Sequence, residues 1–201
     1  MGRRPNTEQR REQIVTALMS VIVRKGYSGA SIQDIAQEAG LTPGLIHYHF
    51  ESKQEILLTL FDRLEALLNQ RMLAGVRKLE NAGPITALDA LIDAFLALDG
   101  TADRLAANCW TMISAEAVYN ASLGRAFKKV VHSQLRRIEE YVRLALRGKA
   151  QRNVKITASA AAILAAIHGS FLLASTAPGT IPAGSAAGSV KLMARGLIRK
   201  A

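Results

Sequence analysis

Few residues in this chain carry the chemistry of catalysis. Its single cysteine, Cys109, is a nucleophile only as a thiolate beside a base. The bases on offer are His132 and His168, distant in sequence, and no local nucleophile signature surrounds any of the three. A thiol packed as a small hydrophobe is the expectation. His47 and His49 stand two apart in LIHYHF, which on a helix points them to different sides and makes them a poor metal pair. No glycine-rich phosphate loop is present. No catalytic residue, metal ligand or cofactor is therefore expected. A different chemistry sits in residues 31–53, SIQDIAQEAGLTPGLIHYHFESK. There Thr42, Gly44, His47 and Tyr48 fall on the outward side of one short helix. A hydroxyl, an imidazole and a phenol are groups that hydrogen-bond the edges and phosphates of a nucleic acid.

The elements that must position them are written in the same stretch. Ser31 can cap a helix by accepting from backbone N–H groups of its first turn. Ile32, Ile35, Ala36 and Ala39 then recur at the spacing of one buried face. Gly40 ends the helix in a left-handed cap, and Leu41 is the apolar residue past the turn. Thr42 caps the next helix, with Pro43 at the first position, where its missing N–H costs nothing. Either Leu45 or Ile46 is buried there, with Phe50. Two short helices joined by a tight glycine-containing turn form a helix-turn-helix, whose second helix enters a DNA major groove.

The stretch resembles the N-terminal DNA-binding domain of the tetracycline-repressor (TetR) family of ligand-responsive transcriptional regulators. The resemblance covers roughly residues 7–60. It rests on Gly26-Tyr27, Ser31-Ile32, Ile35-Ala36, Ala39-Gly40-Leu41, Gly44-Leu45-Ile46, Tyr48-His49-Phe50 and Ser52-Lys53. It implies that Thr42, Pro43, Gly44, Leu45, His47 and Tyr48 form the recognition surface. Gly44 permits close backbone approach, Leu45 meets a thymine methyl, His47 donates to a base or phosphate, and Tyr48 bonds a phosphate. Lys53, near a helix N-terminus, pairs a second phosphate. Ser31 and Gln33 contact the DNA backbone from the preceding helix, and His49 packs the motif rather than reading DNA.

Composition sets the outer bounds. The 201 residues suffice for a sizeable core without disulfides or metals. One cysteine and no secretory signal fit a reducing, cytoplasmic setting. The apolar stretch at 158–174 is alanine-rich and interrupted by Ser159, His168, Gly169 and Ser170, so no membrane span is expected. The net charge is +10, yet residues 1–53 carry only a net +2, while residues 121–155 carry +8. That excess is either a second polyanion contact, a field that steers the chain to DNA, or a solvated helix face, the last being the plainer reading.

The remaining chain reads as helix after helix. Thr7 opens the first, with Ile14, Ala17, Leu18, Val21 and Ile22 inward, after a basic arm bearing Arg3 and Arg4 that can reach a minor groove. Ser52 and Glu55 form a capping box for a long helix that runs to about Glu80. Further helices span about 84–100, 102–118, 121–147, 156–175 and 184–199. The expected fold is all-α, about nine helices. A three-helix helix-turn-helix domain occupies residues 1–53 and a helical ligand-binding and dimerisation domain residues 54–201. The helix at 156–175 is apolar nearly all round and needs cover on both sides, which points to a homodimer through the last two helices.

Cys109-Trp110-Thr111-Met112-Ile113-Ser114-Ala115-Glu116 and the helical layout around it resemble the choline-responsive (BetI-type) branch. By that analogy Phe95, Trp110, Ile113, Glu116, Phe127, His168 and Phe171 are candidates to line an effector pocket, with Trp110 and Glu116 suited to a quaternary amine. The function implied is a homodimeric repressor, released from a palindromic DNA operator by a small molecule, with its recognition helices about 34–36 Å apart. The alternative is a helical small-molecule-binding protein or enzyme that keeps the fold without a DNA role.

Overall fold

Helical periodicity runs through this chain from Thr7 onward, and the computed structural model follows it. The structure describes residues 7–77, 83–97, 101–146 and 153–200. Among these it contains α1 (Thr7–Gly29), α2 (Ile32–Ala39), α3 (Pro43–His49), α4 (Lys53–Arg77), α5 (Pro84–Leu96), α6 (Thr101–Glu116), α7 (Ala121–Ala145), α8 (Asn153–Thr176) and α9 (Ala186–Lys200), and no strand. The arm bearing Arg3 and Arg4 lies outside the described residues.

The chain forms two compact units. The first is Met1–Ala66 with Gly100–Gly124; the second is Leu67–Asp99 with Arg125–Ala201. These are packing units, distinct from the functional division expected at residue 53. In the first, α1 packs on α2, α3 and α6. Its buried stripe of Ile14, Val15, Leu18, Val21 and Ile22 meets a core that includes Ile35, Ile46, Phe50, Phe61, Cys109 and Ile113. The expected stop at Gly26 is a break rather than an end: φ is 72° there and one further turn reaches Gly29. Ile32, expected in the buried face of α2, is only half-buried.

In the second unit α5, α8 and α9 pack on one another. Their core joins Leu88, Leu91, Ile92 and Phe95 of α5 to Ile138 and Val142 of α7, Ile156, Ala160, Ile163 and Ile167 of α8, and Val190, Ala194 and Ile198 of α9. Lys191 pairs with Asp93 at 2.7 Å, and Arg195 with Asp89. Helix α5 ends at Leu96 with Ala97 as its cap, short of the glycine expected to stop it. Along α7, Arg125, Lys128, Lys129, His132, Arg136 and Arg143 are exposed, while Arg147, Lys149 and Arg152 lie outside the described residues. Among the described residues α8 is long and apolar enough to cross a membrane by length and composition, though one side of it is core.

Candidate nucleic-acid interface

The recognition surface is held by local chemistry first. Ser31 and Asp34 form a reciprocal capping box on α2: Asp34 N–H donates to Ser31 Oγ at 3.1 Å, and Ser31 N–H donates to Asp34 Oδ2 at 3.0 Å. Lys25 Nζ lies 2.5 Å from Asp34 Oδ1. The hydrogen bond from Lys25, then those from Ser31, hold the Asp34 carboxyl down at about 2. The spacing S-x-x-D carries this signal in the sequence: Ser31 is the expected cap, and Asp34 is its reciprocal partner. Gly40 closes the helix at φ 63°, ψ 36°. Leu41 N–H then reaches Ala36 O at 2.9 Å, and Gln13 Nε2 donates to Ala39 O at 2.6 Å.

Helix α3 follows immediately. Thr42 Oγ1 accepts from Leu45 N–H at 3.3 Å, and Pro43 takes the first turn. Ile46, not Leu45, is the fully buried anchor, with Phe50 behind it; Leu45 is half-buried. Thr42, Pro43, Gly44, His47 and Tyr48 are all exposed, Tyr48 to 78%. Gly44 faces open space where a Cβ would stand. Gln33 is exposed on α2, and Ser31 is half-buried with its hydroxyl engaged by Asp34 at 2.8 Å.

Two cations that lock this face were not anticipated as such. Arg11 of α1 donates to His49 O at the end of α3 and to Glu55 Oε1 of α4 at 3.0 Å, and its guanidinium carbon sits 3.9 Å from the Phe50 ring centre. Glu55 also accepts from Glu51 N–H at 2.8 Å rather than from Ser52, so the expected capping box is shifted by one residue; Ser52 Oγ still accepts from Glu55 N–H. The Glu51 N–H first, then Arg11, lower the Glu55 carboxyl. Lys53 Nζ donates to Tyr27 O at 3.0 Å and Ala30 O at 2.8 Å and lies over the Tyr27 ring. An ammonium has three protons, so Lys53 keeps one donor beyond this tether. His49, expected to pack, is half-buried with its ring edge-on to Tyr48 at 5.0 Å.

The candidate effector residues divide between the units. In the first, Trp110 is buried and stacked on Phe61 at 5.6 Å, Ile113 is buried and Glu116 half-buried. Trp110 and Glu116 stand six positions apart, which on a regular helix turns their side chains about 120° from each other. Glu116 acts on Tyr27, whose phenol is raised by burial first and by that carboxylate second. In the second unit Phe95 is buried and Phe127 half-buried. The structure brings His168 and Phe171 together, ring centres 6.4 Å apart, with His168 Nε2 3.1 Å from Gln134 Oε1. Burial pushes the His168 imidazole below its ordinary range and the Cys109 thiol up to about 12. Such a thiol stays protonated and unreactive at neutral pH.

Residues 14–60 match the family described as bacterial regulatory proteins, tetR family, and residues 84–198 match the BetI-type transcriptional repressor, C-terminal. The chain is 27% identical over 169 residues to an uncharacterized HTH-type transcriptional regulator of Lactococcus lactis subsp. lactis, covering 84% of each. A transcriptional regulator from Rhodococcus sp. Rha1 has the same fold at a TM-score of 0.80 and 22% identity, over 94% of this chain and 96% of that one. Another, from Saccharomonospora viridis in complex with choline, superposes at 0.77 and 24% identity, over 96% of both chains.

Proposed function

The chain belongs to the tetR family of bacterial regulatory proteins and is a DNA-binding transcriptional regulator with a BetI-type C-terminal domain; from that premise we propose that it is a homodimeric repressor, released from a palindromic operator by a small molecule. The observation that carries the reading is the exposed set Thr42, Gly44, His47 and Tyr48 on a helix whose two ends are fixed by its own cap and by Arg11. Residues 1–53 read DNA and residues 54–201 bind effector and partner. Tyr48 and the spare proton of Lys53 take phosphates, and Ser31 and Gln33 meet the backbone from α2. Gly44 and Leu45 approach base edges, and His47 donates to a base or phosphate. The protein works in the bacterial cytoplasm, where the operator is.

Helices α8 and α9 of two copies pair in a four-helix bundle. The reading is supported by the outer stripe of α8, where Ala161, Ala165 and Leu172 are exposed at helical spacing opposite the buried Ile163 and Ile167. Effector binding shifts the dimer toward a spacing that no longer fits the operator, by as much as its affinities for the two states differ.

The test is fluorescence anisotropy on the DNA upstream of the protein's own gene, with random DNA as control, at two salt concentrations. Tight binding to that fragment alone, lost in Tyr48→Ala with His47→Ala at unchanged helicity, is the expected result. Equal, steeply salt-dependent binding to both DNAs would reduce the interaction to phosphate contacts. Full binding by the double variant would remove the assigned surface.

A further inference from the structure

Helix α7 buries Val130, Gln134, Ile138 and Val142 at four-residue spacing, and the second of these does not belong to an apolar stripe. Gln134 is only 4% exposed. Its Oε1 is engaged by His168 Nε2 of α8 at 3.1 Å, but its Nε2 is buried with no partner. A leucine at this position would complete the stripe without leaving a polar atom unsatisfied, and a purely structural amide pair would have both ends engaged. A carbonyl oxygen can only accept, so the imidazole is the donor to Oε1 and the unpartnered end of the amide is its buried NH2 group. Burial lowers that imidazole below its ordinary range, and the neighbouring Phe171 ring adds an apolar wall.

We propose that Gln134 is the polar recognition residue of the effector site in the second unit: its amide N–H donates to an oxygen of an uncharged, otherwise apolar ligand held beside His168 and Phe171. This deepens the effector-release reading and rests on it. A quaternary ammonium offers nothing to an N–H donor. An oxygen acceptor would engage the unpartnered Gln134 amide, and a site built around one buried hydrogen bond rejects the isostere that lacks it.

The test uses the full chain and three probes of similar size: acetophenone, ethylbenzene and phenyltrimethylammonium. Binding is followed by calorimetry and operator release by anisotropy. Acetophenone is expected to bind wild type about tenfold or more tighter than ethylbenzene, and Gln134→Leu to remove that gap while keeping its fold. Gln134→Met is the second variant should the branched side chain disturb packing. The proposal is overturned if no probe binds, if the two neutral probes bind alike, if the gap survives in both variants, or if the ammonium probe binds best. Acetophenone held through Gln134 without operator release keeps the site and removes the effector reading. Operator release by a probe indifferent to Gln134 does the reverse.

Discussion

At the scale of single residues, the motif's stability and its proposed DNA contact fall on different positions. Asp34 serves the fold. Its folded carboxyl sits at about 2, below the unfolded value near 3.8. A depressed carboxyl contributes stability that is fully present above the unfolded value and lost as pH falls through the folded one. The gap in thermal midpoint between wild type and Asp34→Asn is therefore expected to be constant above about pH 5 and to close between roughly pH 4 and 2. Melting curves across that range check it, and a gap as wide at pH 2 as at pH 5 refutes the assignment. Gly44 belongs to the face proposed to meet DNA. No atom lies within 4 Å of a Cβ built there, and its φ is unexceptional. Gly44→Ala is expected to leave the melting temperature within the range of a neutral surface change, about 0.5 kcal/mol. Operator affinity should fall, because the added methyl stands on the face assigned to DNA.

At the scale of elements, α3 is too short to hold itself. Seven residues lie below the length at which isolated helices persist in water, so α3 depends on its cap and its neighbours. Arg11 joins three of them at once through His49 O, Glu55 and the Phe50 ring. Arg11→Met keeps the packing stem and removes the clamp. We expect operator affinity to fall while α1 remains intact by circular dichroism, with amide exchange accelerating first in α3. The contrast with local features explains what the sequence made legible. Caps at Ser31 and Thr42, the stop at Gly40 and the buried stripes depend on partners within about four residues, so spacing reveals them. The choice of Ile46 over Leu45 turned on which neighbour met the core, and the tether of Lys53 on carbonyls 23 and 26 residues away. Arg11 lies 38 residues from His49. No periodicity encodes such pairings. Gln134 is divided between the two: its place in the stripe Val130–Val142 is legible from spacing, but its partner His168 lies 34 residues away.

At the scale of the whole molecule, α8 carries the argument for the proposed dimer. One side of it buries Ile156, Ala160, Ile163 and Ile167. The opposite side leaves Leu172 at 50% exposure and, on neighbouring α9, Leu192 at 70%. Alanines at 161 and 165 keep the helix surface low, so a second copy can come close, and the leucines supply apolar area to bury. A charge placed there acts on association and spares the monomer's core. Leu172→Glu is expected to sediment as a monomer with wild-type helicity. Its affinity for a full palindrome should fall by about 10²- to 10⁴-fold, the contribution expected from linking two binding events, while its affinity for a single half-site stays unchanged. Loss on both DNAs would mean that the substitution damaged the reading head instead. A variant that remains dimeric at micromolar concentration would move the interface off this face, and the two recognition helices would then need another means of being held one DNA turn apart.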